Sequence, residues 1–378
     1  MAASAEPPSM SRVTLLLAGD VMTGRGIDQI LPHPGDPVLH EAYVKSALEY
    51  VALAERAHGP IPRPQPFAYI WGDALSGIER RRPDLSLVNL ETAITARGVP
   101  APKGINYRMH PANAGVLAEA GVGACTLANN HVLDWGREGL EDTLDTLRAA
   151  GIAMAGAGRS LQEASAPLAL SAAGRGRVII LAFGCPDSGI PADWSALPDR
   201  PGLNLLPQSL SPAAARDVAD TVRSLKRRGD IVVASIHWGG NWGYEIAGEQ
   251  RAFAHALIDD AMVDIVYGHS SHHPKAIEIH RGKLILYGCG DLIDDYEGIT
   301  GYERFRGDLV LMYFACVSTG DGVLCSLEMA PFRIHKFRLQ EATRHEAEWI
   351  AAGLTRQGMT FGTCVIVRPD NTLHLVGL

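Results

Sequence analysis

The residues with chemistry in them stand at the ends of short apolar runs. They are Asp20, Glu91, Asn130, His131, His237, His269 and His272. Carboxylate oxygens, an amide oxygen and imidazole nitrogens together form a donor set for a divalent ion such as Mn, Zn, Fe or Ca. No cysteine is among them, which argues against a structural zinc site. The set exceeds what one tetrahedral ion needs, so two ions are expected as an alternative to one. Glu91 would then bridge ions roughly 3.5–4 Å apart. Taken singly, each residue has a plainer reading. A buried histidine can be a hydrogen-bonded core group, Asp20 and Glu91 can cap helices, and Asn130 can serve a turn. The joint pattern carries the argument, because burying polar groups at several strand ends costs stability unless they are partnered.

The elements that must position these residues are legible in outline. Residues 231–236, 265–267 and 284–287 have the length and β-branched content of buried strands, as do 13–18, 84–88, 123–127 and 178–183. Helices are expected over 67–82, 136–150, 210–228 and 341–356, with a helical patch in 41–56. Residues 309–315, 323–329 and 332–339 alternate like antiparallel strands, and 364–367 and 373–376 read as closing strands. The order is βαβα first and β-rich later, which implies a layered α/β domain, parallel in its first half and mixed in its second. Residues 1–12 read as a flexible tail and 13–378 as one catalytic domain. Within it, the proline-dense stretch 31–66 is expected to be an insertion or lid over the site, and 308–378 to supply strands that complete the second sheet. In open α/β sheets ligands gather beyond the carboxyl ends of strands, where the polar residues fall.

Composition narrows the function classes. The chain has 378 residues, a net charge of −8 and 47% hydrophobic residues. That balance argues against nucleic acid as the partner, since phosphate neutralisation needs clustered Lys and Arg. The six cysteines form no closely spaced pair, so neither a disulfide framework nor a zinc ribbon is expected. No run approaches the length of a membrane span, so a cytoplasmic protein without a membrane anchor is expected. Oligomeric state is not legible.

Six ordered blocks carry a family resemblance. They are GDVM (19–22), NLETAIT (89–95), KGINYRMHP (103–111), LANNHVLDWGREGLEDTL (127–144), SIHWG (235–239), and YGHSSHHPK (267–275) with LILYGCGD (284–291). They resemble the CapA-like, capsule-synthesis-type proteins of the calcineurin-like metallophosphoesterase superfamily. The resemblance implies two mixed β-sheets sandwiched between helices in α-β-β-α layers, with a metal centre at their edge. It makes Asp20 the first-motif aspartate and puts Glu91 in the place of the bridging aspartate. Asn130 matches the metal-binding asparagine, His131 the catalytic histidine beside it, and His237, His269 and His272 the later ligands. Two departures stand out. Met22 occupies the position of a first-motif histidine. Two residues rather than one separate His269 from His272, so His273 is an alternative ligand. Both favour one tightly held ion, or one tight and one weak.

Bound metal can polarise a carbonyl or phosphoryl oxygen or supply hydroxide. Few cations in the blocks could clamp a phosphate; the candidates to bind substrate are Lys103, Arg108 and Lys275. Trp238, Trp242, Tyr244 and His273 suit a peptide better. The family's link is to poly-γ-glutamate synthesis, and soluble CapA-like proteins also occur as lasso-peptide epimerases. The leading expectation is therefore a metal-dependent peptide epimerase, with proton removal from Cα on one face and delivery on the other. His131 is one acid–base group; Asp295, Cys289, Asp291 or His273 is the other. The alternatives are a metallohydrolase or phosphoesterase, a poly-γ-glutamate (capsule) synthesis enzyme, and a non-catalytic accessory protein.

Overall fold

A computed structural model describes residues 11–172 and 174–377. The tail expected over 1–12 lies, for residues 1–10, outside the described residues. Arg12 already opens the first strand, Arg12–Val21.

Two sheets form the frame. Among the described residues one has ten strands and the other six. In the larger, Arg12–Val21 lies parallel to Leu85–Leu90 and antiparallel to Leu309–Ser318. Ala124–Thr126 extends the parallel side, and Leu324–Ile334 the antiparallel side. In the smaller, Arg177–Gly184, Ile231–His237, Ile265–His269 and Lys283–Leu286 run parallel in that spatial order. Antiparallel strands Leu168–Ser171 and Ile277–His280 close its two edges.

Alternation along the strands builds the layers, since successive side chains point to opposite faces. Val13, Leu15 and Leu17 pack with Ile231, Val233, Ile265 and Tyr267 between the sheets. Leu16 and Ala18 face the other way, onto Val51, Ala54, Leu140 and Leu144 of the helices Ala47–His58 and Gly136–Ala149. Val232, Ala234 and Ile236 face Ala215, Phe253 and Leu257 of the helices Pro212–Leu225 and Gly248–Asp259. Strands buried on both faces read as unbroken apolar runs, which is why they stood out in the sequence. The result is helix, sheet, sheet, helix.

Several expectations are corrected. The strands of 308–378 complete the sheet that holds Arg12–Val21, not the one that holds Ile231–His237, because Leu309–Ser318 pairs along nearly the whole first strand. Residues 323–339 contribute one long strand, Leu324–Ile334, and a short one, Leu339–Glu341. Only Ala74–Arg81 of 67–82 is α-helical. In 31–66 the helix is Ala47–His58, started by Ser46 and Glu49 in a capping box.

Residues 31–66 are fastened to the body by one buried cation. The Arg25 guanidinium is 1% exposed; it donates to Asp295 at 2.5 and 3.1 Å and to Glu41 at 2.9 Å. It lies 3.9 Å from the ring centre of Tyr50 and 4.2 Å from that of Tyr107. Removing one member of a buried charge cluster leaves the others uncompensated. Arg25→Met is therefore expected to lower unfolding free energy by about 3–5 kcal/mol, read from the urea midpoint. A loss under about 1 kcal/mol, the worth of an exposed pair, would sink this account.

Candidate metal centre

The site lies where strand ends from the two sheets converge. Parallel register sets His237 beside His269 in the smaller sheet. In the larger it sets Asp20 beside Asn89 and, across a short parallel strand Asp291–Ile293, Asp20 beside Asp291. Glycines make that approach possible. A Cβ on Gly19 would sit 1.6 Å from the Gly290 carbonyl oxygen, and Gly290 has φ +79°. The Asp20 amide donates to that same carbonyl at 3.0 Å. A side chain at either position would drive the two aspartates apart.

Two ligand triads result, and they share Asp20. Asp20, His237 and His269 present donor atoms within 4.8 Å of one another, as do Asp20, His272 and Asp291; all five residues are buried. His237 Nδ1 and His269 Nδ1 face each other at 2.8 Å, and Asp20 Oδ1 is 3.9 Å from the latter. Glu91 Oε2 is 4.0 Å from His237 Nδ1. His272 Nδ1 is 2.9 Å from Asp291 Oδ1, and its Nε2 is 2.9 Å from Asn241 Nδ2. Several buried atoms lack a hydrogen-bond partner: His237 Nε2, Asn130 Oδ1, Asp291 Oδ2 and Asp294 Oδ2. Unpaired buried polar atoms are costly. Here they are the lone pairs a cation would take, so the residues fit one or two divalent ions.

Electrostatics point the same way. Burial raises the carboxyl pKa of Asp20 above its ordinary value and those of Glu91 and Asp291 far above theirs; the nearby Asp20 charge adds to both of the latter. Asp20 and Glu91 share a hydrogen bond. Burial also pushes His269 down to about 3 and His237 well below its usual range. Among the described residues no Lys or Arg forms a salt bridge with Asp20, Glu91, Asp291 or Asp294. The cluster thus holds acids without a cation, an arrangement that a dication relieves directly.

Other polar residues orient the ligands. Asn89 Nδ2 donates to Asp20 Oδ1 at 2.7 Å and to Glu91 Oε2 at 3.3 Å, while its own oxygen accepts from Asn129. Ser235 Oγ meets His269 Nε2 at 2.7 Å. His131 sits at the rim with Nδ1 2.6 Å from Asp134 Oδ2 and Nε2 3.8 Å from Glu91 Oε1. Asp134 also pairs with Lys103 at 2.8 Å. Burial lowers the His131 pKa to about 4 despite the opposing pull of Asp134, so the imidazole is neutral at pH 7. A carboxylate fixing one ring nitrogen leaves the other free to accept or return a proton.

The remaining sequence expectations divide. His272, not His273, joins a triad; His273 accepts from the Gly243 amide and stacks on Phe305. Asp295 is held by Arg25 and by the Gly26 amide at 2.9 Å, so it is not a free acid–base group. Cys289 is packed among core side chains between the sheets, and burial drives its thiol far from ionisation. Trp238 is also core, donating to the Tyr287 carbonyl. Arg108 lies over the Trp135 ring, 3.7 Å from its centre, and Lys103 is taken by Asp134. Trp242 lines a cavity of about 800 Å³ with His272, Asn241 and Asp294. Tyr244 and His273 line a smaller neighbouring pocket. Sequence reasoning missed Asn89, Asp134 and Asn241, and weighed Asp291 only as an acid. Asp291 had a readable signal: like Asp20, it follows a glycine after an apolar run.

Metal analysis of purified chains by plasma emission tests the assignment. Asp20→Asn should lose essentially all bound divalent metal, because it serves both triads, whereas His237→Ala and Asp291→Asn should each lose part. Equal metal in Asp20→Asn and the unsubstituted chain would refute the shared ligand. Gly19→Ala, which adds only a methyl group, should also empty the centre through the clash with Gly290; retention of full metal content would show that the glycine contact is dispensable.

Comparison with known proteins agrees with the resemblance. A "Probable polyglutamine synthesis accessory protein" of Mycobacterium tuberculosis (strain CDC 1551 / Oshkosh) is 49% identical over 365 residues, covering 96% of each chain. "PGA biosynthesis protein CapA" of Bacillus subtilis (strain 168) is 26% identical, over 84% of this chain and 70% of that one. A solved structure, "GAP50 the anchor in the inner membrane complex of Plasmodium", overlaps at 9% identity and a TM-score of 0.31, covering 91% and 95% of the two chains, a level that carries no argument. The model of the family described as "Bacterial capsule synthesis protein PGA_cap" matches residues 14–296, and this chain belongs to that family.

Proposed function

We propose that the chain is a divalent-metal enzyme of poly-glutamyl capsule-type synthesis that acts on an amide linkage of the polymer or its precursor by hydrolysis or transfer, on a fold of the calcineurin-like metallophosphoesterase kind. The observation that carries this reading is the pair of triads sharing Asp20, opening through His272 onto the 800 Å³ cavity. Relatives named for polyglutamine and PGA synthesis supply the substrate class. A bound dication would polarise the carbonyl and lower the pKa of water. Asp20, His237, His269, His272 and Asp291 would hold it, with Glu91 4.0 Å from His237. His131, kept neutral and aligned by Asp134, would take a proton from the attacking group and return it to the leaving amine.

The cavity favours an amide over a phosphoester. Its arginines are each matched by a carboxylate: Arg25 by Asp295 and Glu41, Arg306 by Asp308, and Arg333 by Glu346. Arg25, the buried one of the three, is fully engaged by its two carboxylates and is not available to clamp a phosphate. Trp242 stacks on Tyr302 with ring centres 4.2 Å apart, making a flat apolar wall beside the metal ligands. Inversion at Cα is the weaker reading, because it needs a second acid–base group, and Asp295 and Cys289 are both structurally engaged.

The test is release of new amino termini from poly-γ-glutamate by the metal-loaded chain. His131→Gln should lower the rate about 10²–10⁴-fold with metal content unchanged. Metal-loaded chain that releases no amine but exchanges deuterium into Cα would favour the epimerase. Neither activity would leave the non-catalytic accessory reading in front.

A further inference from the structure

A second cluster of ligating side chains lies away from the cavity. Helix Gly248–Asp259 runs beside Ile277–His280, the edge strand of the six-stranded sheet. His255 and Asp259 are four apart on the helix and so share a face; Glu278 and His280 are two apart on the strand and share one as well. The two faces meet. His255 Nε2 is 2.9 Å from Glu278 Oε1, and His280 Nε2 is 2.9 Å from Asp259 Oδ1. The two imidazoles stack with ring centres 3.9 Å apart and 6° between planes. His255, Glu278 and His280 bring donor atoms within 4.8 Å of one another.

We propose that His255, Glu278 and His280 form a zinc site, with Asp259 beside His280, that staples the helix to the edge strand. Two nitrogens and one oxygen from three protein side chains suit zinc, with Asp259, 2.9 Å from His280 Nε2, or a water for the fourth position. The side chains are largely withdrawn from water, with exposures of 25% for His255, 6% for Glu278, 20% for His280 and 26% for Asp259. Glu278 is also aimed: its second oxygen accepts from the Tyr287 hydroxyl at 2.7 Å, the kind of outer contact that fixes a ligand. Two arginines compete for the carboxylates, Arg251 at 3.7 Å from Glu278 and Arg281 at 3.0 Å from Asp259. Both are substantially exposed, at 46% and 69%, and such pairs are cheaply exchanged for water. The staple would hold the helix to the edge strand of the smaller sheet.

The experiment is a zinc titration of the chelator-stripped full-length chain, read as zinc retained after gel filtration and as histidine imidazole signals by nitrogen-15 NMR. Wild type should retain about one equivalent more zinc than His255→Ala or His280→Ala, as one site built on both imidazoles requires. The same difference should persist in a His269→Ala background, which separates this site from the centre at Asp20. Should either single variant fail to fold, zinc must still shift the His255 and His280 imidazole signals of the wild type together. Equal zinc retention in His280→Ala and wild type, or imidazole signals of His255 and His280 that stay put while zinc binds elsewhere, overturns the proposal.

Discussion

The candidate chemistry depends on one backbone approach, that of Gly19 to Gly290. Gly19 and Gly290 let two backbones touch where no side chain could fit, and so bring Asp20 and Asp291 into one register. Everything polar in the centre is arranged around those two carboxyls. His237 and His269 come in from the smaller sheet, and Glu91 follows the strand next to Asp20. The sandwich therefore does more than bury apolar surface. It closes two sheets along an edge where each contributes half of a donor set.

Such a cluster is unfavourable by itself. Several carboxyls removed from water and placed within hydrogen-bond reach resist ionisation, and the imidazoles beside them resist protonation. Folding energy from the three apolar clusters must tolerate this, and the outer polar groups limit the damage. Asn89 spans Asp20 and Glu91, Asn129 fixes Asn89, and Ser235 holds the far side of His269. Among the triad residues His237 Nε2 and Asp291 Oδ2 are left without hydrogen-bond partners; a site built only for internal hydrogen bonding would have consumed those lone pairs.

Much of this was legible in the sequence, and the failures have physical causes. Buried strands announce themselves as apolar runs, and residues placed directly after them, such as Asp20, His237 and His269, were found by position alone. The runs pointed to a layered α/β domain, while the helix–sheet–sheet–helix order was implied only by the family resemblance. Asp134 was missed because its role appears only when the loop after Asn130 turns back on His131. Asn241 was missed because it reaches His272 from a loop with no periodicity. Cys289 and Trp238 looked like site residues because they are neighbours in sequence, yet both pack into the core. Asp295 is adjacent to Asp294 but on the opposite side of the chain, where Arg25 binds it. Sequence adjacency predicts depth along a strand well and facing poorly beyond the strand's end.

The spacing of the histidines in YGHSSHHPK shows how the facing is decided. Ser270 takes φ +106°, a conformation that turns the chain sharply after His269. The Ser270 amide then donates to Asp20 Oδ2 at 3.2 Å, and the His272 amide to the Asn241 carbonyl at 3.0 Å. That turn swings the His272 ring onto Asp291 and sends His273 outward to Phe305. An extra residue between the two ligating histidines is thereby absorbed, and the carboxylate of Asp291 completes the triad that Met22, buried and without a ring nitrogen, cannot serve. The chain differs at Met22 and in the His269–His272 spacing from the superfamily pattern that the resemblance implies. The two triads sharing Asp20 therefore differ in donor chemistry, one offering a carboxylate and two imidazoles and the other two carboxylates and one imidazole.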